Sequence, residues 1–287
     1  MKDKKVLVTG AFGFLGENIT NKLIKKGALV TAIYLKNKKP TKASTVQCDL
    51  TNTEQVKELL KTKYDYIIHL AGQPTVWYSN KYPLDDFKKN VLTTINLLEA
   101  AKNMECTFVY SSSSSLYPQG TSTEDTKVKL DSFYAKNKYF SEKYIEEYTR
   151  KFAINGKIVR FSFIYGPKLK RNPIYDALKN TNHIRLYVSN DSKLDFIYVD
   201  DAAEGLIYIA KSGNNEVYNI SSGKGTRISE LMKMIQNERK NKMLVSYSEK
   251  KQEIILDNKK IEKLGWIPLV NMKTGLKKTI NWFNNYI

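Results

Sequence analysis

The sequence predicts an α/β fold in which helices cover both faces of a doubly wound parallel sheet. Over residues 1–110, short apolar and β-branched runs alternate with longer segments of helical periodicity. Alternation at this spacing indicates βαβ units, whose right-handed crossovers build a doubly wound sheet. The 287 residues suffice for one large domain with a smaller lobe. Because 41% of them are hydrophobic and 26% are charged, the composition is that of a globular protein.

The elements of the alternating part begin with a strand at Lys5–Thr9 and a helix at Phe14–Lys26, whose apolar residues share one face. The elements expected next are strands at Leu29–Leu35, Thr45–Cys48, Tyr66–Leu70 and Thr107–Ser111, and helices at Thr53–Leu60 and Phe87–Lys102. Thr53 is the expected N-cap of the helix that it begins.

Beyond Ser115 the pattern continues and then becomes less regular. A helix at Phe133–Lys151 and a strand at Lys157–Ser162 precede Arg171–Asn190, which has no clear period. The remaining elements expected are a strand at Asp195–Val199 and helices at Asp201–Ala210, Ile228–Ile235 and Thr274–Asn284. We therefore expect a first domain over residues 1–166, on which residues 195–220 return to pack. A smaller C-terminal lobe should occupy residues 167–287.

Cysteine and histidine usage excludes several classes of protein. The two cysteines, Cys48 and Cys106, and the two histidines, His69 and His183, lie far apart in the sequence. Their spacing builds neither a disulfide framework nor a metal site. No apolar run reaches the roughly 18 residues of a membrane helix, and the N-terminus has no signal-peptide pattern. We expect a soluble cytoplasmic protein with no metal and no membrane partner.

The formal net charge of +18 suggests a nucleic-acid partner, but the kind of basic residue argues against one. Of the 47 basic residues, 41 are Lys and 6 are Arg, and the lysines are spread along the chain. Arg is the residue favoured for bidentate contacts to phosphate and guanine. We therefore expect no nucleic-acid partner, although a basic surface can steer small polyanions toward the protein.

A glycine-rich loop joins the first strand to the first helix. Residues 9–16 read Thr-Gly-Ala-Phe-Gly-Phe-Leu-Gly, with glycines at Gly10, Gly13 and Gly16. Glycines at this spacing allow a tight turn, close approach of a pyrophosphate and packing of helix on strand. The N-terminus of the helix then offers N–H groups to phosphate oxygens. The first domain is therefore predicted to bind a dinucleotide.

A second motif opens the helix at Phe133–Lys151. Tyr134 and Lys138 are four residues apart, so they lie on one helix face. A Tyr side chain normally titrates near ~10, and a nearby cation favours its phenolate. The pair therefore predicts a general acid/base near neutral pH.

With these two motifs the sequence resembles the extended short-chain dehydrogenase/reductases, the nucleotide-sugar epimerases, dehydratases and ketoreductases with a Rossmann fold. The resemblance covers nearly the whole chain. The other segments that carry it are Cys48–Leu50, His69–Gln73, Asn90-Val91, Leu97–Ala100, Ser111–Tyr117, Arg160–Pro167, Asp195–Asp201, Tyr218–Ile220 and Leu264–Pro268.

The resemblance implies a role for individual residues. Ser113 takes the place of the catalytic serine, Tyr134 that of the general acid/base, and Lys138 that of the residue that binds the nicotinamide ribose. The implied cofactor-binding residues are Gly10, Phe12, Gly13, Phe14, Leu15, Gly16, Tyr34, Lys36, Asp49, Leu50, Leu70, Ala71, Gly72, Asn90, Ser111, Tyr134, Lys138 and Ile164. The implied substrate-binding residues are Gln73, Ser113, Ser114, Tyr165 and Lys193.

The sequence departs from the family pattern at three places. Ser114 and Ser115 stand where the dehydratases carry an Asp-Glu pair, which argues against a 4,6-dehydratase. At the end of the second strand, Tyr34 replaces the acidic residue that binds the ribose of NAD, and Lys36, Lys38 and Lys39 follow. This change predicts a preference for NADP(H), with NAD(H) as the alternative.

The third departure lies in the substrate-nucleotide pocket. Phe163 stands where many members have Asn, and Leu194 stands where many have Arg, with Lys193 adjacent. Lys193 can meet a diphosphate as a point charge, without bidentate geometry.

Taken together, these features predict an NADPH-dependent reductase of a keto, most simply 4-keto, nucleotide-diphosphate sugar in deoxysugar or surface-polysaccharide biosynthesis. Ser113 and Tyr134 would polarise the ketone. The first alternative is a nucleotide-sugar 4-epimerase with retained NAD. The second, of another class, is a catalytically silent sensor or an RNA-binding relative. A homodimer is expected from the resemblance, through helices at Phe87–Lys102 and Phe133–Lys151.

Overall fold

A computed structural model describes residues 1–36, 40–180 and 182–286. Within them the chain forms two compact units. The first unit comprises Met1–Tyr117, Lys127–Arg160 and Ala203–Tyr218. The second comprises Pro118–Thr126, Phe161–Ala202 and Asn219–Ile287.

Strands and helices alternate along the first part of the chain. The strands are β1 (Lys5–Thr9), β2 (Leu29–Tyr34), β3 (Ser44–Gln47), β4 (Tyr66–His69), β5 (Cys106–Ser113), β6 (Gly120–Ser122), β7 (Ile154–Phe161), β8 (Phe163–Tyr165), β9 (His183–Leu186), β10 (Lys193–Tyr198), β11 (Val217–Ile220), β12 (Gly225–Arg227), β13 (Leu244–Tyr247) and β14 (Glu253–Leu256). The helices are α1 (Phe14–Lys25), α2 (Thr53–Leu59), α3 (Val76–Lys81), α4 (Pro83–Phe87), α5 (Thr93–Ala101), α6 (Phe133–Lys151), α7 (Pro173–Lys179), α8 (Val199–Ser212), α9 (Ile228–Arg239), α10 (Lys259–Lys263) and α11 (Met272–Tyr286).

The large sheet has seven strands in the order β11-β7-β5-β4-β1-β2-β3. The pairings of β1 with β2, β1 with β4, β2 with β3 and β4 with β5 are all parallel. The order reverses between β1 and β4, and ligands of doubly wound sheets bind at such a switch point, beyond the carboxyl ends of the strands. The predicted doubly wound fold is therefore confirmed.

One buried cluster forms the core of the first unit. It brings together residues of the strands, such as Leu7, Ile67 and Phe108, with helix residues such as Leu97 and Ile145. Strands covered on both faces are expected to be almost continuously apolar, and Val6, Leu7 and Val8 of β1 are all buried.

The second unit contains a five-stranded sheet and its own helices. The path of this sheet is β12-β10-β14-β6, and β8 pairs in parallel with β10. Helices α7, α9 and α11 pack against each other through buried residues such as Leu178, Leu231 and Phe283. A separate two-stranded sheet joins β9 to β13.

Some local predictions were wrong. Asn52, and not Thr53, is the N-cap of α2, because its side chain accepts the backbone N–H of Gln55. The helix predicted at Phe87–Lys102 is divided into α4, a π turn at Lys88–Leu92 and α5. The segment Arg171–Asn190, in which no period was seen, contains α7 and β9. The predicted domain division at residue 166 stays a prediction; β10 pairs within the five-stranded sheet, and residues 203–218 belong to the first unit.

In residues 1–36, 40–180 and 182–286, no helix is long and apolar enough to cross a membrane. The same residues contain no group of three or more His, Cys, Asp or Glu arranged to hold a metal ion.

Candidate active site

The glycine loop has the geometry that its sequence predicts. Gly10 has a φ of +65°, and a Cβ there would lie 2.8 Å from the backbone nitrogen of Ala71. A Cβ on Gly16 would lie 2.1 Å from the carbonyl oxygen of Gly10. Side chains larger than hydrogen are therefore excluded at both positions.

The part of this loop around Gly13, at the N-terminus of α1, is suited to a phosphate group. Gly13 is the N-cap of α1, and no side chain caps the helix there. A Cβ on Gly13 would meet a single atom, the carbonyl oxygen of Gly10, at 3.2 Å. The backbone N–H groups of the first turn, including Phe14 and Leu15, thus face a space that a pyrophosphate can approach. These residues fit a dinucleotide.

A buried chain of hydrogen bonds holds the neighbouring strand ends. His69 is fully buried at the end of β4, with Nδ1 2.7 Å from Thr9 Oγ1 and Nε2 3.1 Å from Thr94 Oγ1. Thr94 Oγ1 donates its proton to the carbonyl oxygen of Asn90, so it must accept from His69 Nε2. Thr9 Oγ1 then donates to Nδ1 and accepts the N–H of Ala71 at 3.2 Å.

This arrangement suits only the neutral imidazole. Burial, together with the positive charge of Lys138, lowers the pKa of His69 to about 3. His69 is therefore a structural residue that links the glycine loop to the segment after β4, which contains Leu70, Ala71 and Gly72. All three of these residues lie at the switch point of the sheet, where they were predicted to bind the cofactor.

The end of β2 carries the residues that bear on cofactor preference. The ring of Tyr34 packs edge-on against that of Phe12 in the glycine loop, with centroids 6.2 Å apart. Tyr34 is half-buried, and Lys36 is exposed. Lys38 and Lys39 lie outside the described residues.

Asp49 and Leu50, which the resemblance implied as cofactor-binding residues, have different environments. Asp49 Oδ1 accepts the backbone N–H and the hydroxyl of Thr51, and it thus closes a local turn. Leu50 is buried in the core of the first unit, and its carbonyl oxygen accepts from Asn96.

Ser113, Tyr134 and Lys138 lie on elements that pack against each other. Ser113 ends β5 and caps the 3-10 turn Ser114–Leu116, where its Oγ accepts the N–H of Ser115. Tyr134 and Lys138 lie on α6, which packs against β5 and this turn. They are 8% and 6% exposed, respectively.

The ammonium group of Lys138 is held from two sides. Its Nζ donates to the carbonyl oxygen of Ser111 at 2.8 Å and lies 4.6 Å from the centroid of the Tyr110 ring. The serine run at the end of β5 therefore provides both a hydroxyl at Ser113 and a backbone acceptor that orients the lysine.

A buried carboxylate that no sequence motif predicts lies beside this group. Asp86, on α4, accepts from the side-chain amides of Asn137 at 2.7 Å and Asn90 at 2.9 Å. Burial raises the pKa of the Asp86 carboxyl, and these hydrogen bonds and the charge of Lys138 oppose that shift. Asn137 lies inside the Tyr134–Lys138 motif, so Asp86 ties α6 to α4.

Asn90 braces the loop after β4. It lies in the π turn, donates to the carbonyl oxygen of Gln73 at 3.1 Å, and places Oδ1 2.4 Å from where a Cβ on Gly72 would be. Its own carbonyl oxygen accepts the hydroxyl of Ser141 on α6. The π turn therefore joins the loop of Gly72 and Gln73 to α6.

The predicted site residues of the second unit have separate environments. Tyr165 is 1% exposed, and its ring packs on those of Phe196 and Tyr198, so its predicted contact with substrate stays a prediction. Ile164 is half-buried in β8, and Lys193 is half-buried at the start of β10. Of the residues predicted to bind substrate, Gln73 and Ser113 are half-buried and Ser114 is buried in the first unit.

Comparison with known proteins identifies the family. The model of the NAD dependent epimerase/dehydratase family matches residues 6–221. The chain belongs to this family. Its resemblance to the extended short-chain dehydrogenase/reductases is thereby confirmed, and so is the expectation of an enzyme.

Similar members of the epimerase/dehydratase family align over their whole length. A protein of Methanocaldococcus jannaschii, provisionally named a UDP-glucose 4-epimerase, is 31% identical over 98% of both chains. The crystal structure of UDP-glucose 4-epimerase from Thermotoga maritima, with UDP-glucose, superposes with a TM-score of 0.92 at 25% identity, over 98% of this chain and 99% of that one. UDP-N-acetylglucosamine 4-epimerase from Methanobrevibacter ruminantium, in complex with UDP-N-acetylmuramic acid, gives a TM-score of 0.90 at 26% identity over 100% of both chains.

Proposed function

We propose that this protein is a nucleotide-sugar 4-epimerase that retains NAD during turnover. The observation that carries the proposal is the 31% identity, over 98% of both chains, to a provisionally named UDP-glucose 4-epimerase. This replaces the reductase as the leading function. Ser114 and Ser115, in place of an acidic pair, favour an epimerase over a dehydratase, because neither hydroxyl can serve as an ionised acid/base.

The side chains of the first unit supply the proton chemistry of such a reaction. A dinucleotide bound at the glycine loop supplies the hydride chemistry, with Lys138 as the ligand of its ribose. The phenolate of Tyr134 takes the proton of the sugar hydroxyl and later returns it. Ser113 keeps its hydroxyl proton for a hydrogen bond to the same sugar oxygen, because its Oγ already accepts from Ser115.

A reductase that uses NADPH is the second candidate, and Tyr34 favours it. No carboxylate follows β2 within residues 34–36, and Lys36 adds a cation near the place of a 2′-phosphate. Without a carboxylate on the ribose hydroxyls, exchange of the dinucleotide in each turnover becomes easier. This would suit a reductase better than an epimerase.

The dinucleotide that copurifies with the protein discriminates between the two functions. We expect acid or heat denaturation of the purified protein to release close to stoichiometric NAD, measured by chromatography and mass spectrometry. Release of NADP(H), or an empty protein that oxidises added NADPH on a 4-keto nucleotide sugar, would instead establish the reductase.

The homodimer expected from the resemblance remains a proposal. Aromatic side chains on the outer face of α6 are exposed and would be covered by a second copy of the chain. They are Phe133, Phe140 and Tyr144.

A further inference from the structure

A buried ion pair lies behind the serine turn and has no part in the chemistry proposed above. Glu142 on α6 and Arg160 on β7 are 0% and 4% exposed, respectively. Arg160 Nε donates to Glu142 Oε1 at 3.0 Å, and Nη2 donates to Oε2 at 2.6 Å. The two side chains thus form a bidentate pair. Burial lowers the pKa of the Arg160 guanidinium, but its contacts with Glu142 raise it on balance above its ordinary value, so the arginine stays charged.

Stability alone is a weak reason for such a pair. Two charges lose their hydration on burial, and well-packed apolar residues in their place often give the folded protein equal stability. A buried pair is better explained when its remaining polar atoms hold something else in place. In this protein both partners make such additional contacts.

Each partner of the ion pair forms a hydrogen bond on one side of the 3-10 turn that Ser113 caps. The hydroxyl of Ser112 donates to Glu142 Oε1 at 2.5 Å. Arg160 Nη1 donates to the hydroxyl of Tyr117 at 2.9 Å, and the guanidinium lies 4.9 Å from the centroid of the Tyr117 ring. Ser112 directly precedes Ser113, and Tyr117 follows the 3-10 turn that Ser113 caps. The pair therefore fixes the chain before and after the catalytic serine.

The same pair is attached to the helix that carries the acid/base. Glu142 follows Tyr134 by eight residues and Lys138 by four, so all three lie on one face of α6. Displacement of the serine turn relative to α6 would have to break hydrogen bonds to Glu142 or Arg160.

We propose that Glu142 and Arg160 are positioning residues that hold the hydroxyl of Ser113 in register with Tyr134. The inference rests on the proposed function, in which both hydroxyls act on one sugar oxygen. A displacement of about 1 Å in such a site can cost on the order of 100-fold in rate. The pair thus acts on catalysis through the placement of Ser113.

The test uses variants that loosen the turn and keep both charges. Ser112→Ala and Tyr117→Phe each remove one hydroxyl, whereas removal of Glu142 or Arg160 would leave a buried charge without its partner and endanger folding. We expect the double variant S112A/Y117F to lower kcat by about tenfold, with KM and dinucleotide affinity unchanged. Ser112→Thr keeps a hydroxyl at this position, so its kcat should be close to that of the wild type and above that of Ser112→Ala. Tyr148→Phe is the matched control, because it removes a hydroxyl of the same helix, six residues beyond Glu142, that donates to Glu99 of α5.

Combination of S112A/Y117F with Ser113→Ala separates a loss of Ser113 positioning from a general loss of structure. In that background no hydroxyl remains to be placed, so S112A/Y117F should have almost no further effect on kcat. An equal loss of kcat in the presence and absence of Ser113 would overturn the proposal.

Amide hydrogen exchange gives a second readout that needs no substrate. The N–H groups of Ser115 and Tyr117 bond to Ser113 Oγ and to the carbonyl oxygen of Ser114, respectively. We expect their exchange in S112A/Y117F to be faster by about tenfold, with the core strands unchanged. Unchanged exchange of these amides would overturn the positioning role. If the wild-type protein turned over no nucleotide sugar, the proposed function would fail, and the exchange result alone would still decide whether the pair holds the turn.

Discussion

Replacement of Tyr134 by Phe is expected to lower kcat by about 10²–10⁴-fold, the range typical of the loss of a general acid/base. The substitution removes only the phenolic oxygen, and the ring keeps its packing at the start of α6, where the side chain is 8% exposed. Lys138 keeps its contact with the carbonyl oxygen of Ser111, so the affinity for the dinucleotide should be unchanged. Steady-state kinetics and fluorescence titration with the reduced dinucleotide measure the two effects.

The matched control for this variant is Tyr139→Phe, the same chemical change one residue beyond Lys138 on the same helix. Tyr139 lies beside Lys143, with its ring centroid 5.0 Å from Nζ, and is outside the predicted site. It should retain wild-type kcat. A Tyr134→Phe variant as active as this control would show that another group moves the proton.

Replacement of Gly16 by Ala is expected to abolish copurification of the dinucleotide. The new Cβ would lie 2.1 Å from the carbonyl oxygen of Gly10 and 2.9 Å from Cα of Ala11, both of which are backbone atoms. The loop must therefore shift, and the N–H groups of the α1 N-terminus no longer face the pyrophosphate. Overpacking of this kind also costs about 1–3 kcal/mol of the free energy of unfolding.

Gly213→Ala is a control for that loss of stability. Its Cβ would lie 3.0 Å from the carbonyl oxygen of Ile209, at the end of α8, and it touches no part of the glycine loop. Denaturant unfolding gives the stability of both variants, and chromatography gives their dinucleotide content. If Gly213→Ala lost its dinucleotide as completely as Gly16→Ala at equal stability, the loop geometry would not be the cause.

The parts of the site that follow from the sequence are local in the chain. The glycine spacing of residues 10–16 and the four-residue separation of Tyr134 and Lys138 act within one loop and one helix turn, so the pattern alone predicts their geometry. The order of strands follows in the same way, since alternating elements with right-handed crossovers allow few arrangements.

The residues that hold the site in place could not be predicted, because they meet only through contacts between elements far apart in the sequence. Asp86 and Asn137 are 51 positions apart, and Ser112 and Glu142 are 30 apart. Only the packing of α4 and β5 against α6 brings them together, and a single sequence carries no signal for that packing. The π turn was missed for a similar reason, because its Asn90 carbonyl is satisfied by a hydroxyl from another helix.

Epimerisation without any added cofactor is the decisive test of the proposed function. The purified protein is incubated with UDP-glucose, or with a UDP-N-acetylhexosamine, and the 4-epimer is quantified by chromatography while absorbance at the NAD(P)H band is followed. The proposed function requires that one of these sugars converts to its 4-epimer until equilibrium, with no net oxidation or reduction of a dinucleotide. Failure to form a 4-epimer, together with stoichiometric consumption of added NADPH on a 4-keto sugar, would contradict it.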